Sequence, residues 1–255
     1  DLAEQSQRFL NHYLEYCGDY AGLRLLNMYR NYYALVRAKV KLMRRPAEDD
    51  LPGDNEDIAA VCRHVMLAEK FTRTKQPLIV LMHGLSGSGK SWLAEQLMTV
   101  GDTIRIRSDV ERKRLFGEWP EPTGGIIPDM YSKKASDATF ERLHELAGLV
   151  TSAGFNCIVD ATFLSRARRK PFLEWALRKK LQLAIVSCHA PEDVIMERLQ
   201  MREKEASDPS DANMDIYKLQ KVNVEDFLPE ERNRLIEVDT TRNDCVERVV
   251  ARLAL

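Results

Sequence analysis

The sequence predicts an α/β protein: a five-stranded parallel sheet flanked by helices, preceded by an all-α segment. Three observations predict it. Between residues 78 and 253, short apolar runs alternate with helical patterns, as strands buried between two helical layers do. The first run, Leu78-Ile-Val-Leu-Met82, leads straight into Gly84-Leu-Ser-Gly-Ser-Gly-Lys90-Ser91, which fits the phosphate-binding pattern G-x-x-x-x-G-K-[ST]. Residues 1–76, by contrast, carry helical spacing and no strand pattern.

Composition narrows the class. The chain has 255 residues, enough for one large domain or two small ones, and is 44% hydrophobic and 30% charged, a balance that can bury a core. A net charge of −1 excludes a global pull toward nucleic acid or anionic membrane. The five cysteines (17, 62, 157, 188, 245) are scattered without C-x-x-C, so reduced thiols in a cytoplasmic protein are expected. No apolar run reaches membrane-spanning length and no signal peptide is visible, so no membrane partner is expected. The chain begins with Asp1 rather than Met, which predicts a piece of a longer polypeptide.

Taken in order, residues 1–45 read as helix with a break at Gly18-Asp19. Phe9, Leu10, Tyr13, Leu14 and Cys17 predict the buried stripe of the first helix; Leu23, Leu26, Tyr29, Tyr33, Val36, Val40 and Met43 predict that of the second. Arg30, Arg37, Lys39, Lys41, Arg44 and Arg45 make the second helix basic, as a solvated face or a nucleic-acid contact. Pro46–Asp57 reads as a loop and Ile58–Thr72 as a third helix. Strands are predicted at 78–82, 103–107, 156–160, 182–188 and 235–238. Helices are predicted at 89–99, 109–116, 130–152, 165–180, 191–203, 211–226 and 243–253, with a loop at 118–128. The expected domains are 1–76 and 77–255.

The glycine-rich turn places strand, loop and helix in the order that phosphate binding needs, which makes 77–255 a P-loop NTPase fold. Gly84, Ser86, Gly87, Ser88, Gly89, Lys90, Ser91 and Trp92 are the expected nucleotide-binding residues: main-chain amides make an anion nest, Lys90 reaches the β- and γ-phosphates, and the Ser91 hydroxyl holds Mg²⁺. ATP is preferred over GTP as the nucleotide partner because no N-K-x-D guanine pattern is present.

Three more motifs sit where an open α/β sheet puts its ligands, at the carboxyl ends of strands. In Ser108-Asp109-Val-Glu-Arg112, Asp109 is either the base that takes a proton from an acceptor hydroxyl or the cap of the next helix. Arg112, one turn on, can hold the acceptor. Val159-Asp160-Ala-Thr162 ends an apolar strand; Asp160 reaches Mg²⁺ through water, or orients Arg112 and the acceptor, or caps a helix, and Thr162 can hydrogen-bond the acceptor. Arg198 and Arg202, at i and i+4, share a helix face before a polar, lid-like segment, and either offset phosphoryl charge or form surface pairs. Arg166, Arg168, Arg169 and Lys170 form a basic cluster, as an acceptor channel or a solvated face. Trp119 and Tyr131 are candidates for ring stacking or for the core, His83 reads as structural, and Asp239-Thr-Thr241 reads as near the base.

Together these four motifs resemble the P-loop kinases of polynucleotide-kinase and zeta-toxin type (AAA_33-like), over roughly residues 77–255. The resemblance implies Asp109 as the base, Arg112 as the acceptor contact and a lid arginine at Arg198 or Arg202. It implies ATP·Mg²⁺-dependent phosphoryl transfer to a hydroxyl, on a small molecule or a nucleic-acid end. Tyr13–Arg24 and Tyr33–Val40 resemble the last helices of an aminoglycoside-phosphotransferase-like domain, which implies an upstream domain of the same polypeptide. The alternative is a nucleotide-binding or nucleotide-hydrolysing regulatory module.

Overall fold

The computed structural model describes residues 2–43, 55–72, 76–120, 130–204 and 214–253. Its helices and strands run α1 Leu2–Cys17, α2 Leu23–Met43, α3 Asn55–Thr72, β1 Leu78–His83, α4 Lys90–Leu97, β2 Thr103–Arg107, α5 Ser108–Leu115 and α6 Lys133–Ser152. There follow β3 Asn156–Asp160, α7 Arg166–Lys179, β4 Gln182–His189, α8 Glu192–Lys204, α9 Met214–Val222, α10 Pro229–Arg232, β5 Leu235–Asp239 and α11 Cys245–Leu253. The chain forms two units, Asp19–Lys75 and the remainder. Helix α1, read in the sequence with the block 1–76, groups with the sheet.

The sheet unit is a parallel five-stranded sheet in the order β2-β3-β1-β4-β5. Register is set by pairs such as Leu81↔Val159, Leu81↔Ile185, Arg107↔Asp160 and His189↔Asp239. Because side chains alternate along a strand, Leu78, Val80 and Met82 of β1 face one layer, where Leu93, Ala94 and Leu97 of α4 and Val249 and Leu253 of α11 join them. Ile79 and Leu81 face the other way and are also fully buried. Helices α6 and α7 cover β3 and β4. Between these helices Phe140, Phe163 and Phe172 meet edge to face, and His144 sits against Phe172 and Trp175. Burial on both faces is why these strands read as continuous apolar runs.

The smaller unit is a helical hairpin. Asn31 Nδ2 donates to Ala68 O (2.9 Å) and Lys41 pairs with Asp57 (3.5 Å), which fixes α2 and α3 as antiparallel. Arg30 lies over the Phe71 ring. Ala34 and Ala38 are buried, whereas Tyr29, Tyr33, Val40 and Met43 of the predicted stripe are exposed. Small side chains one turn apart let two helix backbones approach, and here they set the contact face in place of the large ones. The first predicted stripe is corrected in the same way: α1 buries Gln7, Asn11 and Leu14, and leaves Phe9 and Tyr13 exposed.

Element boundaries differ in two informative places. Strands β1, β4 and β5 each extend one residue beyond the apolar run, because His83, His189 and Asp239 still pair in the parallel ladder. The predicted helix 211–226 is α9, Met214–Val222; beyond it Glu225 N donates to Leu164 O instead of continuing the helix. The predicted loop 118–128 and the lid segment lie largely outside the described residues.

Candidate active site

The glycine-rich loop after β1 is shaped by three glycines whose positions admit no side chain. Gly84, Gly87 and Gly89 have φ of 138°, 79° and 83°, in the region that L-residues avoid. A Cβ on Gly84 would lie 2.4 Å from Cys188 O, and one on Gly89 would lie 2.7 Å from Thr240 Oγ1. Gly84 N donates to Thr162 O (3.3 Å) and Ser88 N to Leu85 O (3.1 Å), so the loop turns back over β1 and meets the end of β3. Gly89 then caps α4, which presents its N-terminus and Lys90 to the loop. Lys90 is buried and donates to Leu85 O (2.7 Å). Ser88 Oγ is buried and has no hydrogen-bond partner among the described residues. A cradle that side chains would fill, a helix N-terminus and an unpartnered hydroxyl fit the phosphates of a nucleotide.

Asp160 ends β3 beside this loop. Its Oδ1 accepts from Ser91 Oγ (3.3 Å), and its Oδ2 accepts from Arg105 Nε (3.1 Å) and Nη2 (2.6 Å). Asp160 and Arg105 are 5% and 6% exposed, so neither charge is solvated by bulk water. Burial pushes the Asp160 carboxyl up, but the Arg105 charge and hydrogen bonds, with Arg107 and Lys90, hold it below its ordinary value. Ser91 and Asp160 together are oxygen donors that fit a divalent cation at the phosphates. Asp160 is not a helix cap, since Ser165 stands at the N-cap of α7. Sequence reasoning placed Arg112 with Asp160; the structure puts Arg105 there. The signal was an arginine in the middle of the apolar strand Thr-Ile-Arg-Ile-Arg.

Asp109 and Arg112 lie on α5 and line the same cavity, of about 1140 Å³, as Ser86, Gly87, Gly89, Lys90, Ser91, Trp92, Asp160 and Thr162. The N-cap of α5 is Arg107, so Asp109 is not spent on capping. Arg112 Nη1 donates to Asp109 Oδ1 (3.3 Å), and its guanidinium lies 5.3 Å from the Tyr131 ring centroid. Arg112 Nε is buried without a partner among the described residues. Trp119 is turned elsewhere and donates to Glu15 O (2.9 Å).

Arg198 is tied to the loop rather than projecting from a lid: it donates to Gly87 O (3.3 Å), Thr240 Oγ1 (3.0 Å) and Thr240 O (3.3 Å). Thr240 Oγ1 in turn donates to Ser88 O (2.8 Å), which links the end of β5 to the loop. The Arg202 side chain lies outside the described residues. Gln220, on α9 and missed in the sequence, accepts from Ser86 N (2.8 Å) through Oε1. The basic cluster disperses. Arg169 is fully buried on Glu231, Arg168 pairs with Asp137, and Lys170 faces solvent toward Glu174.

His83, just before the loop, is buried against Phe227 with Nδ1 2.9 Å from Ser187 Oγ. Burial lowers its pKa from 6.5 to about 4, helped by the Arg169 and Lys90 charges. An unfolded His83 binds a proton below pH 6.5 and the folded one does not, so stability is lost as pH falls from 6.5 to about 4. The expected loss is about 3 kcal/mol. Urea unfolding of the parent and of His83→Asn across that range checks it; the variant should show a flatter profile.

Comparison with known proteins fits this architecture. An uncharacterized protein of Mycobacterium tuberculosis (H37Rv) is 28% identical over 210 residues, which is 82% of this chain and 41% of the relative. The Mycobacterium bovis counterpart matches identically, so the chain spans about two-fifths of the length of these curated relatives. A solved chain from Chloroflexus aurantiacus, a kinase by provisional assignment, shares the fold with a TM-score of 0.54 at 18% identity, over 71% of this chain and 98% of that one. A Sinorhizobium meliloti gluconokinase is similar at a TM-score of 0.49 and 22% identity, over 71% of this chain and 93% of that one. Among the described residues no helix is long and apolar enough to cross a membrane. The family described as an AAA domain (AAA_33) matches residues 79–227, more than half of the chain, from β1 through α9. By that match the chain belongs to the AAA_33 family of AAA domains.

Proposed function

We propose that the chain is an ATP- and Mg²⁺-dependent phosphotransferase whose acceptor is a hydroxyl group. One observation carries the reading: Asp109 and Arg112 open into the same cavity as Lys90, Ser91 and Asp160. A nucleotide hydrolase would also use the loop and the Asp160 arm and can use a carboxylate and a guanidinium on its attacking water, so dependence on an acceptor separates the two readings. The buried Arg112 Nε, with no partner among the described residues, supports a polar group bound there.

In this reading the loop amides and Lys90 hold the β- and γ-phosphates. The chemistry supplied by Mg²⁺ at Ser91 and Asp160 is neutralisation of charge across the phosphate oxygens. Arg112 orients the acceptor, with Thr162 and the Tyr131 ring beside it. Asp109 takes the hydroxyl proton as the new P–O bond forms and the bond to the ADP oxygen breaks. Arg198 adds positive charge at the loop from where it is pinned; Arg202 is included on sequence grounds. The finer reading, a polynucleotide-kinase-type enzyme acting on a 5′-hydroxyl or a small molecule, rests on the motif resemblance. The division 1–76 and 77–255, with a phosphotransferase-like segment first, belongs to the same proposal.

The test is to incubate the protein with γ-labelled ATP and separate panels of 5′-hydroxyl oligonucleotides, nucleosides, sugars and aminoglycosides. Label is expected in one hydroxyl class, with ADP release dependent on it. ADP release indifferent to every acceptor would replace this reading with a hydrolase.

A further inference from the structure

Helix α1 lies outside the family match at 79–227, yet two of its three buried residues are polar where a packing helix is ordinarily apolar. Gln7 and Asn11 are 6% and 3% exposed. Their partners explain this. Strand β2 is an edge strand, paired with β3 on one side and with no strand on the other among the described residues. On that open side Gln7 Nε2 donates to Thr103 O (2.6 Å), Asn11 Nδ2 donates to the same oxygen (3.0 Å), and Asn11 Oδ1 accepts from Arg105 N (2.7 Å). The Thr103 carbonyl and the Arg105 amide, two residues apart, are the groups that a sixth strand would pair. Two side-chain amides take its place.

The consequence reaches the site. Asn11 holds the main chain of Arg105; the Arg105 guanidinium holds Asp160 Oδ2; Asp160 Oδ1 meets Ser91 Oγ. Each link is buried or nearly so, and the chain runs from α1 to the first turn of α4. We propose that Asn11, supported by Gln7, is a positioning residue for the phosphate site: it sets β2 so that Arg105 engages Asp160 in one orientation and leaves a single carboxylate oxygen facing Ser91. Without Asn11 the Arg105 amide is a buried donor with no acceptor, and the strand edge must admit water or shift to find one. The role of the arm in holding nucleotide and cation rests on the function proposed above. The mechanical link does not.

The experiment uses ¹⁵N-labelled protein and the substitution Asn11→Leu, which keeps the shape and removes the two hydrogen bonds to β2. Exchange of the Arg105 Nε–H with water reports its bond to Asp160. The Arg169 Nε–H, buried on Glu231 away from α1, is the internal reference. The expected result is roughly tenfold faster exchange at Arg105 with Arg169 unchanged. Equal acceleration at both sites, which means general loosening, or no change at either, overturns the proposal. Asn11→Ala, measured in the same way, decides the matter if the leucine variant does not fold. In a second arm ADP retention is followed against Mn²⁺ and in EDTA. Asn11→Leu should need roughly tenfold more Mn²⁺ for equal retention, with no change in EDTA. Equal loss with and without the cation counts against positioning. A parent protein that retains no ADP in either condition removes the proposed function and leaves the exchange arm to decide.

Discussion

Asp109→Asn is expected to lower phosphoryl transfer by roughly 10²–10⁴-fold, the usual contribution of a positioned general base, while nucleotide retention stays at the parent level. The asparagine keeps the shape of the carboxylate and an oxygen that can accept from Arg112, now 3.3 Å from Asp109 Oδ1. It cannot take a proton. Asp109 does not cap α5, so the substitution should leave the helix in place. Retention of labelled ADP and transfer from labelled ATP, measured on one preparation, separate the outcomes. Transfer at the parent rate removes Asp109 from the mechanism; loss of retention as well would mean that the loop had moved. The matched control is Lys90→Ala, which should lose both.

The second large effect is on stability. Arg169 is fully buried and its guanidinium reaches three segments. It donates to Glu231 Oε1 (2.6 Å) and Oε2 (3.2 Å), to Phe163 O and Leu164 O (3.0 Å each), and to Asp226 O (3.2 Å). Phe163 sits at φ 46°, a left-handed conformation costly for a large side chain, one residue beyond Thr162 of the cavity. Arg169→Met leaves Glu231 buried without its charge partner and frees the Phe163 carbonyl. A loss of about 3–5 kcal/mol is expected, seen as a lower Tm and a lower urea midpoint. Arg169→Met with Glu231→Leu should recover part of that loss, because no lone buried charge remains. A double variant as unstable as the single one would mean that the main-chain bonds outweigh the ion pair. Burial pushes the Glu231 carboxyl up, but its hydrogen bonds from Arg169 and Leu228 N bring it below its ordinary value. That stability is present above the unfolded carboxyl's titration range and is lost as pH falls through the folded value. In the parent this acid loss lies at and below the lower end of the His83 window.

The strands and the glycine-rich loop were legible because their causes are local. An apolar run buried on both faces needs no knowledge of its neighbours, and a loop that forbids Cβ must be written in glycine. The alignment of Asp109, Asp160 and Thr162 at strand ends followed from the same rule, since parallel strands put their carboxyl ends on one side. The large apolar residues of α1 and α2 misled because spacing reveals a face without revealing what it meets. In α2 the contact is made by Ala34 and Ala38; in α1 it is made by two amides on an open strand edge.

Which arginine does what was left to the folded chain. Arg105 became the partner of Asp160, Arg169 left the surface for Glu231, and Arg198 was drawn onto the loop by Thr240. Gln220 met Ser86 from 134 residues away. Residue order carries the backbone plan of this protein, because turns, caps and strand burial are properties of a few adjacent residues. The pairing of its charges came from the packing of α1, α7 and α8 around the sheet, because a guanidinium on a long side chain takes whichever buried acceptor the assembled sheet brings within reach.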